Sequence, residues 1–173
     1  MSVYLRAFEL DDYKKSAFWR NNIDVKKNLG GNNHFVSSER EKKWIENSIF
    51  NDKNDIKLAI CKKENDEYIG NVNLTNINWI NRNAEFSIFI GETNDWGKGY
   101  ATTATMLMLT FGFYQQNLHK IYLTVLENNI TAMHIYTKLG FVKEGILRDE
   151  IYKNGEYNNM VLMSILKNEF SVK

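Results

Sequence analysis

Residues 86–113 read FSIFIGETNDWGKGYATTATMLMLTFGF, and the fold turns on how they are parsed. An apolar run ends near Ile90. A polar turn follows, then Gly97-Lys98-Gly99, then a long segment of helical composition. A strand, a glycine-bearing turn and a helix start together make an anion cradle. Glycine lets the main chain approach a phosphate, and the first helical N–H groups have no intrahelical partner. The stretch therefore reads as a diphosphate site for a nucleotide-like cofactor. Two other glycine loops do not fit. A dinucleotide fingerprint needs Gly or Ala where Thr102 stands, and a Walker loop needs Ser or Thr where Gly99 stands. Taken alone, the loop could equally be a structural turn at the head of a helix.

Working outward, the chain has 173 residues, 43% of them apolar and 25% charged, with a formal net charge of +1. That length suits one domain, residues 1–173, with a sizeable core. The charge balance gives no global basic field of the kind that holds nucleic acid. Cys61 is the one cysteine, so no disulfide closes within the chain, and a reducing, cytoplasmic setting is expected. No apolar run approaches the roughly 20 residues of a membrane span. The first residues, MSVYLRAFELDD, turn acidic too soon for a signal peptide. His34 and His119 are isolated and His134 falls off the buried face of its helix, so no metal site is expected. Cys61 reads as a structural strand residue.

Alternating apolar residues place strands at 3–8, 56–62, 68–77, 85–90, 120–126, near 145–153 and near 157–166. Asn154-Gly155 is a strong hairpin signal between the last two. Asp11-Asp12 can cap a helix to about residue 21, and residues 28–33, NLGGNN, form a loop. A second helix begins at Ser37 or Ser38, with Ser38 and Glu41 as a capping box and Trp44, Ile45, Ile49 and Phe50 at helical spacing, and fades near residues 51–52. A third runs from Gly99 to about residue 115, burying Ala101, Ala104, Met108 and Phe111. A fourth spans 127–139 and stops at Gly140. The expected architecture is a mixed α/β (α+β) domain: a central, mostly antiparallel seven-stranded sheet with helices on both faces.

About 30 residues beyond the glycine loop stands Asn129-Ile130-Thr131-Ala132-Met133-His134-Ile135-Tyr136-Thr137-Lys138-Leu139-Gly140-Phe141. The pair resembles the GNAT superfamily of acetyl-CoA-dependent N-acetyltransferases, in which a pyrophosphate loop precedes an Asn-x-x-Ala-x-x-x-Tyr-x-x-x-Gly-Phe helix. Asn83-Ala84-Glu85-Phe86, residues 97–102, His134-Ile135-Tyr136 and Asn154-Gly155-Glu156-Tyr157 are similar to spermidine N-acetyltransferases and to the ribosomal-protein-type group. Trp96 departs from the Gln or Arg the superfamily often carries there.

The resemblance implies direct acetyl transfer from acetyl-CoA to an amine. The cofactor site falls on Trp96, Gly97, Lys98, Gly99, Tyr100, Ala101 and Thr102, on the main chain of Ile88, Phe89 and Ile90 beside the pantetheine, and on Asn129, which can also be a plain helix cap. Lys138 could touch the phosphates or simply be solvated. Such chemistry needs a proton acceptor for the amine and a donor for the departing thiolate. Glu85 is the candidate base, with an exposed glutamate that merely attracts a cation as the other reading. Tyr136 is the candidate acid: a phenol with reference pKa near 10 stays protonated at neutral pH and so carries a proton for the thiolate, whose reference lies near 8.5. The alternative is a core aromatic.

The acceptor stays open among a polyamine, a peptide N-terminus, an amino sugar and other small amines. Glu39, Glu41, Glu46, Asp149, Glu150 and Glu156 could serve a polyamine, but the neutral 28–33 loop replaces an acidic one in the spermidine enzymes. Relatives often form dimers or larger assemblies, so self-association is expected. A non-catalytic acyl-CoA-binding or sensing domain is the competing reading.

Overall fold

The computed structural model describes residues 2–31, 33–51 and 53–171. Asn32 of the first loop and Asp52, where the second helix was to fade, lie outside the described residues. Seven strands form one sheet: β1 (Val3–Arg6), β2 (Ile56–Lys62), β3 (Tyr68–Asn78), β4 (Asn83–Ile90), β5 (Lys120–Leu126), β6 (Val142–Lys153) and β7 (Glu156–Leu166), in the order β1-β2-β3-β4-β5-β7-β6. Every neighbouring pair is antiparallel except β4 and β5. Those two pair in parallel over three rungs, Asn83↔Lys120 to Glu85↔Tyr122. Beyond Glu85 and Tyr122 they part, and the gap between them is the feature that matters for function.

Helices cover both faces. On one, α4 (Tyr100–Thr110) and α5 (Ile130–Lys138) pack on Val72, Leu74, Phe86, Ile121 and Leu123. On the other, α1 (Tyr13–Asn21), α2 (Ile23–Asn28) and α3 (Ser38–Phe50) bury Trp19, Val25 and Ile45 against Ala59, Cys61, Tyr68 and Phe89. Cys61 is fully buried, and burial pushes its thiol pKa up, as suits a structural residue. The β6–β7 turn follows its sequence signal: Asn154 and Gly155 both have positive φ, 54° and 89°.

Several local expectations are corrected. Asp12 begins α1 without capping it, because its carboxylate takes the Arg6 guanidinium at 2.7 Å and the Glu9 N–H at 2.9 Å. Ser37, not Ser38, caps α3: it is extended, and its hydroxyl accepts from the Arg40 N–H. Glu41 is buried instead of completing a capping box, and Phe50 is exposed. Helix α2 was not foreseen; Asn22 starts it by accepting the Asp24 N–H at 2.9 Å. On α4, Thr105 and Leu109 join Ala104 and Met108 in the core while Ala101 and Phe111 are only partly covered. The helix widens into a π-turn over Phe111–Gln115, which rotates the apolar stripe. Helix α5 begins at Ile130 because Asn129 caps it.

Candidate active site

The glycine loop has the backbone its residues require. Gly97 and Gly99 sit at φ of 77° and 78°, a region costly for any residue with a Cβ, and Gly99 is the N-cap of α4. The free N–H groups of α4's first turn therefore face the end of β4. Trp96 fixes that juxtaposition: its indole N–H donates to the Ile90 carbonyl at 2.9 Å.

Strand β4 offers its own main chain. The Gly91 N–H bonds the Ile69 carbonyl at 2.8 Å, so by strand alternation Phe89 also turns its peptide groups to β3. Those of Ile88 point instead into the gap vacated by β5, while the Ile90 carbonyl takes the Trp96 indole N–H. The main-chain role expected of Phe89 is thus corrected, since its peptide belongs to the β3–β4 ladder. Among the described residues no hydrogen bond reaches the Ile88 peptide groups, which leaves them open to an extended ligand.

The resulting cleft has a volume of about 540 Å³. Phe86, Ile88, Phe89 and Ile90 line one wall, and Trp96, Gly97, Gly99, Tyr100, Ala101 and Thr102 line the end at the glycine loop. Thr124, Val125 and Leu126 of β5 and Asn129, Ala132 and Tyr136 of α5 face them. Asn129 accepts the Ala132 N–H at 3.1 Å through its side chain and donates to the Asn28 carbonyl at 3.3 Å. It therefore caps α5 and ties it to the end of α2.

Tyr136 packs edge-on against Phe86, with centroids 6.2 Å apart, and at a tilt against Phe141, 5.6 Å away. Its hydroxyl has no hydrogen-bond partner among the described residues. Burial pushes its phenol pKa up to about 12, so the proton is held throughout the neutral range.

Three sequence candidates stand elsewhere. The Lys98 side chain is drawn back to Asp95, 2.9 Å away, and Lys98 is outside the cleft lining. Lys138 is an exposed residue outside the cleft lining. Glu85 lies at the closed end, below the point where β4 and β5 part, and its carboxylate accepts from Asn76 at 2.9 Å. It shares a face with Ser87, which does line the cleft.

Two features had no sequence signal. Val25, Asn28, Leu29 and Gly30, from α2 and the loop after it, roof the cleft. Beneath the phosphate end runs a chain of ion pairs: Lys15 with Glu67 at 3.0 Å, Glu67 with Lys62 at 3.0 Å, Lys62 with Asp95 at 2.8 Å, and Asp95 with Lys98. Burial opposes ionisation of Asp95, but the two lysines together hold its carboxyl below the ordinary value. The chain braces the loop from α1 onward.

Residues 2–142 match the acetyltransferase (GNAT) domain family. The chain belongs to the GNAT acetyltransferases. GNAT proteins use acetyl-CoA as co-substrate, which accounts for a phosphate cradle beside a free strand edge. The spermidine N(1)-acetyltransferase of Escherichia coli (strain K12) is 44% identical over 104 residues, 60% of this chain and 55% of that protein. The matched stretch thus spans about half the length of that curated relative. A ribosomal N-acetyltransferase-type homologue of Bacillus subtilis, YdaF, is 31% identical over 101 residues, 58% of this chain and 55% of its own. Across the whole fold, the crystal structure of spermidine N-acetyltransferase from Vibrio cholerae in complex with CoA and spermine superposes with a TM-score of 0.89, at 33% identity and covering 97% of each chain. The mostly antiparallel seven-stranded sheet with its flanking helices is thereby that of GNAT enzymes.

Proposed function

We propose that this GNAT domain moves an acetyl group from acetyl-CoA to a small primary amine by direct attack. One observation carries the reading: the free α4 N-terminus, the unpaired main chain of Ile88 and the unbonded hydroxyl of Tyr136 all face one cleft. The loop from Trp96 to Thr102 holds the diphosphate through main-chain N–H groups. Strand β4 holds the pantetheine as an added strand would be held. These contacts bring the thioester to the end of the cleft bounded by Phe86 and Tyr136.

The incoming amine is deprotonated before attack, and Glu85 receives that proton through solvent along the Ser87 face, not by direct contact. Tyr136 donates its proton to the departing thiolate; its raised pKa keeps the phenol protonated at neutral pH, and because the thiol is the stronger acid the tyrosinate is transient and regains a proton from solvent. The named polyamine enzymes among the relatives support a small amine as acceptor.

The test is thiol release from acetyl-CoA with a panel of amines, run beside thermal unfolding with acetyl-CoA. The reading requires stabilisation by acetyl-CoA and turnover on at least one amine. Stabilisation without turnover on any amine would instead favour a sensing domain. Glu85→Gln is expected to lower kcat while leaving acetyl-CoA stabilisation intact.

A further inference from the structure

Beside the main cleft lies a second cavity of about 340 Å³. The two share Asn28, Leu126, Asn129 and Thr131, so they adjoin one another. The second part opens past the end of β5, beneath the end of α2 and beside the β6–β7 hairpin. From Asn129 to Tyr136 the helix climbs about 10 Å. A small acceptor with its amine near Tyr136 therefore places its far end here.

The charge of that far end can be read from the lining. The charged residues are Lys27, Lys153 and Glu156, and most of the others are asparagines. Lys153 is only 4% exposed. Its ammonium donates to the Lys26 carbonyl at 2.7 Å and to the Leu29 carbonyl, and no carboxylate pairs with it among the described residues. Burial lowers its pKa, as expected of a cation short of counter-charge. Lys27 is exposed at the rim and has no ion-pair partner among the described residues.

Glu156 is the carboxylate among the described lining residues; outside the lining, Asp95 holds two lysines, while Glu92 accepts the Trp19 indole N–H at 3.1 Å and Glu127 accepts from Asn159 at 2.8 Å. Glu156 alone faces two ammonium groups. An acceptor with several ammonium groups would enter a region of like charge, which costs affinity, whereas an anion would relieve it.

We infer that the acceptor is a small primary amine with an anionic far end, of the chemical class of an amino-sugar phosphate, and that Lys27 and Lys153 receive that end. The inference rests on the acetyl-transfer reading and narrows it.

Glucosamine 6-phosphate, glucosamine and spermidine are to be titrated into the CoA-saturated protein by thermal unfolding, then supplied as acceptors with acetyl-CoA. Glucosamine 6-phosphate is expected to bind about tenfold more tightly than glucosamine, with spermidine weakest, and its advantage should shrink as salt rises. Lys27→Glu, at an exposed position where the fold has little at stake, is expected to reverse the order of the phosphate ester and spermidine. Lys153→Met is expected to remove the phosphate advantage as well. Spermidine binding as tightly as the ester, no advantage for the ester, or indifference to Lys27→Glu would each overturn the inference. So would displacement of the ester by CoA, which would give the cavity to the cofactor. Failure of acetyl-CoA itself to stabilise the protein or lose its acetyl group would be a different result, counting against acetyl transfer.

Discussion

The two ends of the cleft are built from different materials. On the proposed reading the cofactor end is main chain: the glycine turn, the first turn of α4 and the open edge of β4, all from one continuous segment, residues 86–102. The proposed acceptor end is made of side chains that meet from distant parts of the sequence. Lys153 reaches the end of α2, Asn33 bonds Asn154 at 3.0 Å, and Asn129 reaches Asn28. A main-chain site tolerates most side-chain changes as long as its glycines remain. A site assembled by long-range pairs changes character with a single substitution. One fold can therefore keep its donor and vary its acceptor.

That division can be broken experimentally. The largest expected effect is Tyr136→Phe, which keeps the ring packing on Phe86 and Phe141 but loses the proton donor. We expect kcat to fall by about 100-fold or more, with acetyl-CoA stabilisation retained. A collapse of both would mean that Tyr136 belongs to the binding surface. In the parent protein, the raised phenol pKa predicts no activity loss from Tyr136 at pH 10, where an ordinary tyrosine would be half ionised; a rate profile taken to that pH checks it.

Gly99→Ala comes next. A Cβ at φ of 78° costs about 1–2 kcal/mol, so acetyl-CoA binding should weaken about tenfold with the acceptor KM unmoved. Asp95→Asn removes one carboxylate shared by Lys62 and Lys98. It should raise the acetyl-CoA KM about threefold and leave acceptor preference alone, because it loosens only the brace beneath the loop.

The smallest effect is a pH dependence at the far end of that brace. Lys15 and then Lys62 hold the Glu67 carboxyl at about 2, below its ordinary 4.5. Between those values the unfolded chain binds the proton and the folded one does not. The contribution is therefore present above about pH 4.5 and lost as pH falls toward 2. Tm measured at stepped pH should decline less steeply over that window in Glu67→Gln than in the parent protein.

The same division explains what could be read from the sequence. The Gly97-Lys98-Gly99 turn at the head of α4, Asn129 as a cap and the Asn154-Gly155 turn each follow from local backbone demands, and the backbone has that form at each. The seven strands followed from alternation, which is also local. The α2 roof, the Lys62–Asp95 brace and the Lys153 contact join residues far apart in the chain, so no spacing rule reports them. Glu85 was placed on the right strand. Where β4 separates from β5 decides whether it meets the cleft directly, and that depends on a partner strand beginning at residue 120. Asp12 and Ser38 misled as caps for a related reason: a short polar side chain has several local uses, and tertiary partners such as Arg6 decide among them.

The three-rung seam between β4 and β5 also bears on how the chain is assembled. Strands β1 to β4 come from residues 3–90 and pair only with one another until that seam; β5, β6 and β7, from residues 120–166, do the same. During synthesis the first half-sheet emerges with its β4 edge bare, and α4 is the next element available to shelter it. The second half-sheet closes on itself through nearby pairings before it docks. Native-state hydrogen exchange should therefore resolve two tiers of protection, with the rungs from Asn83 to Glu85 opening ahead of either half.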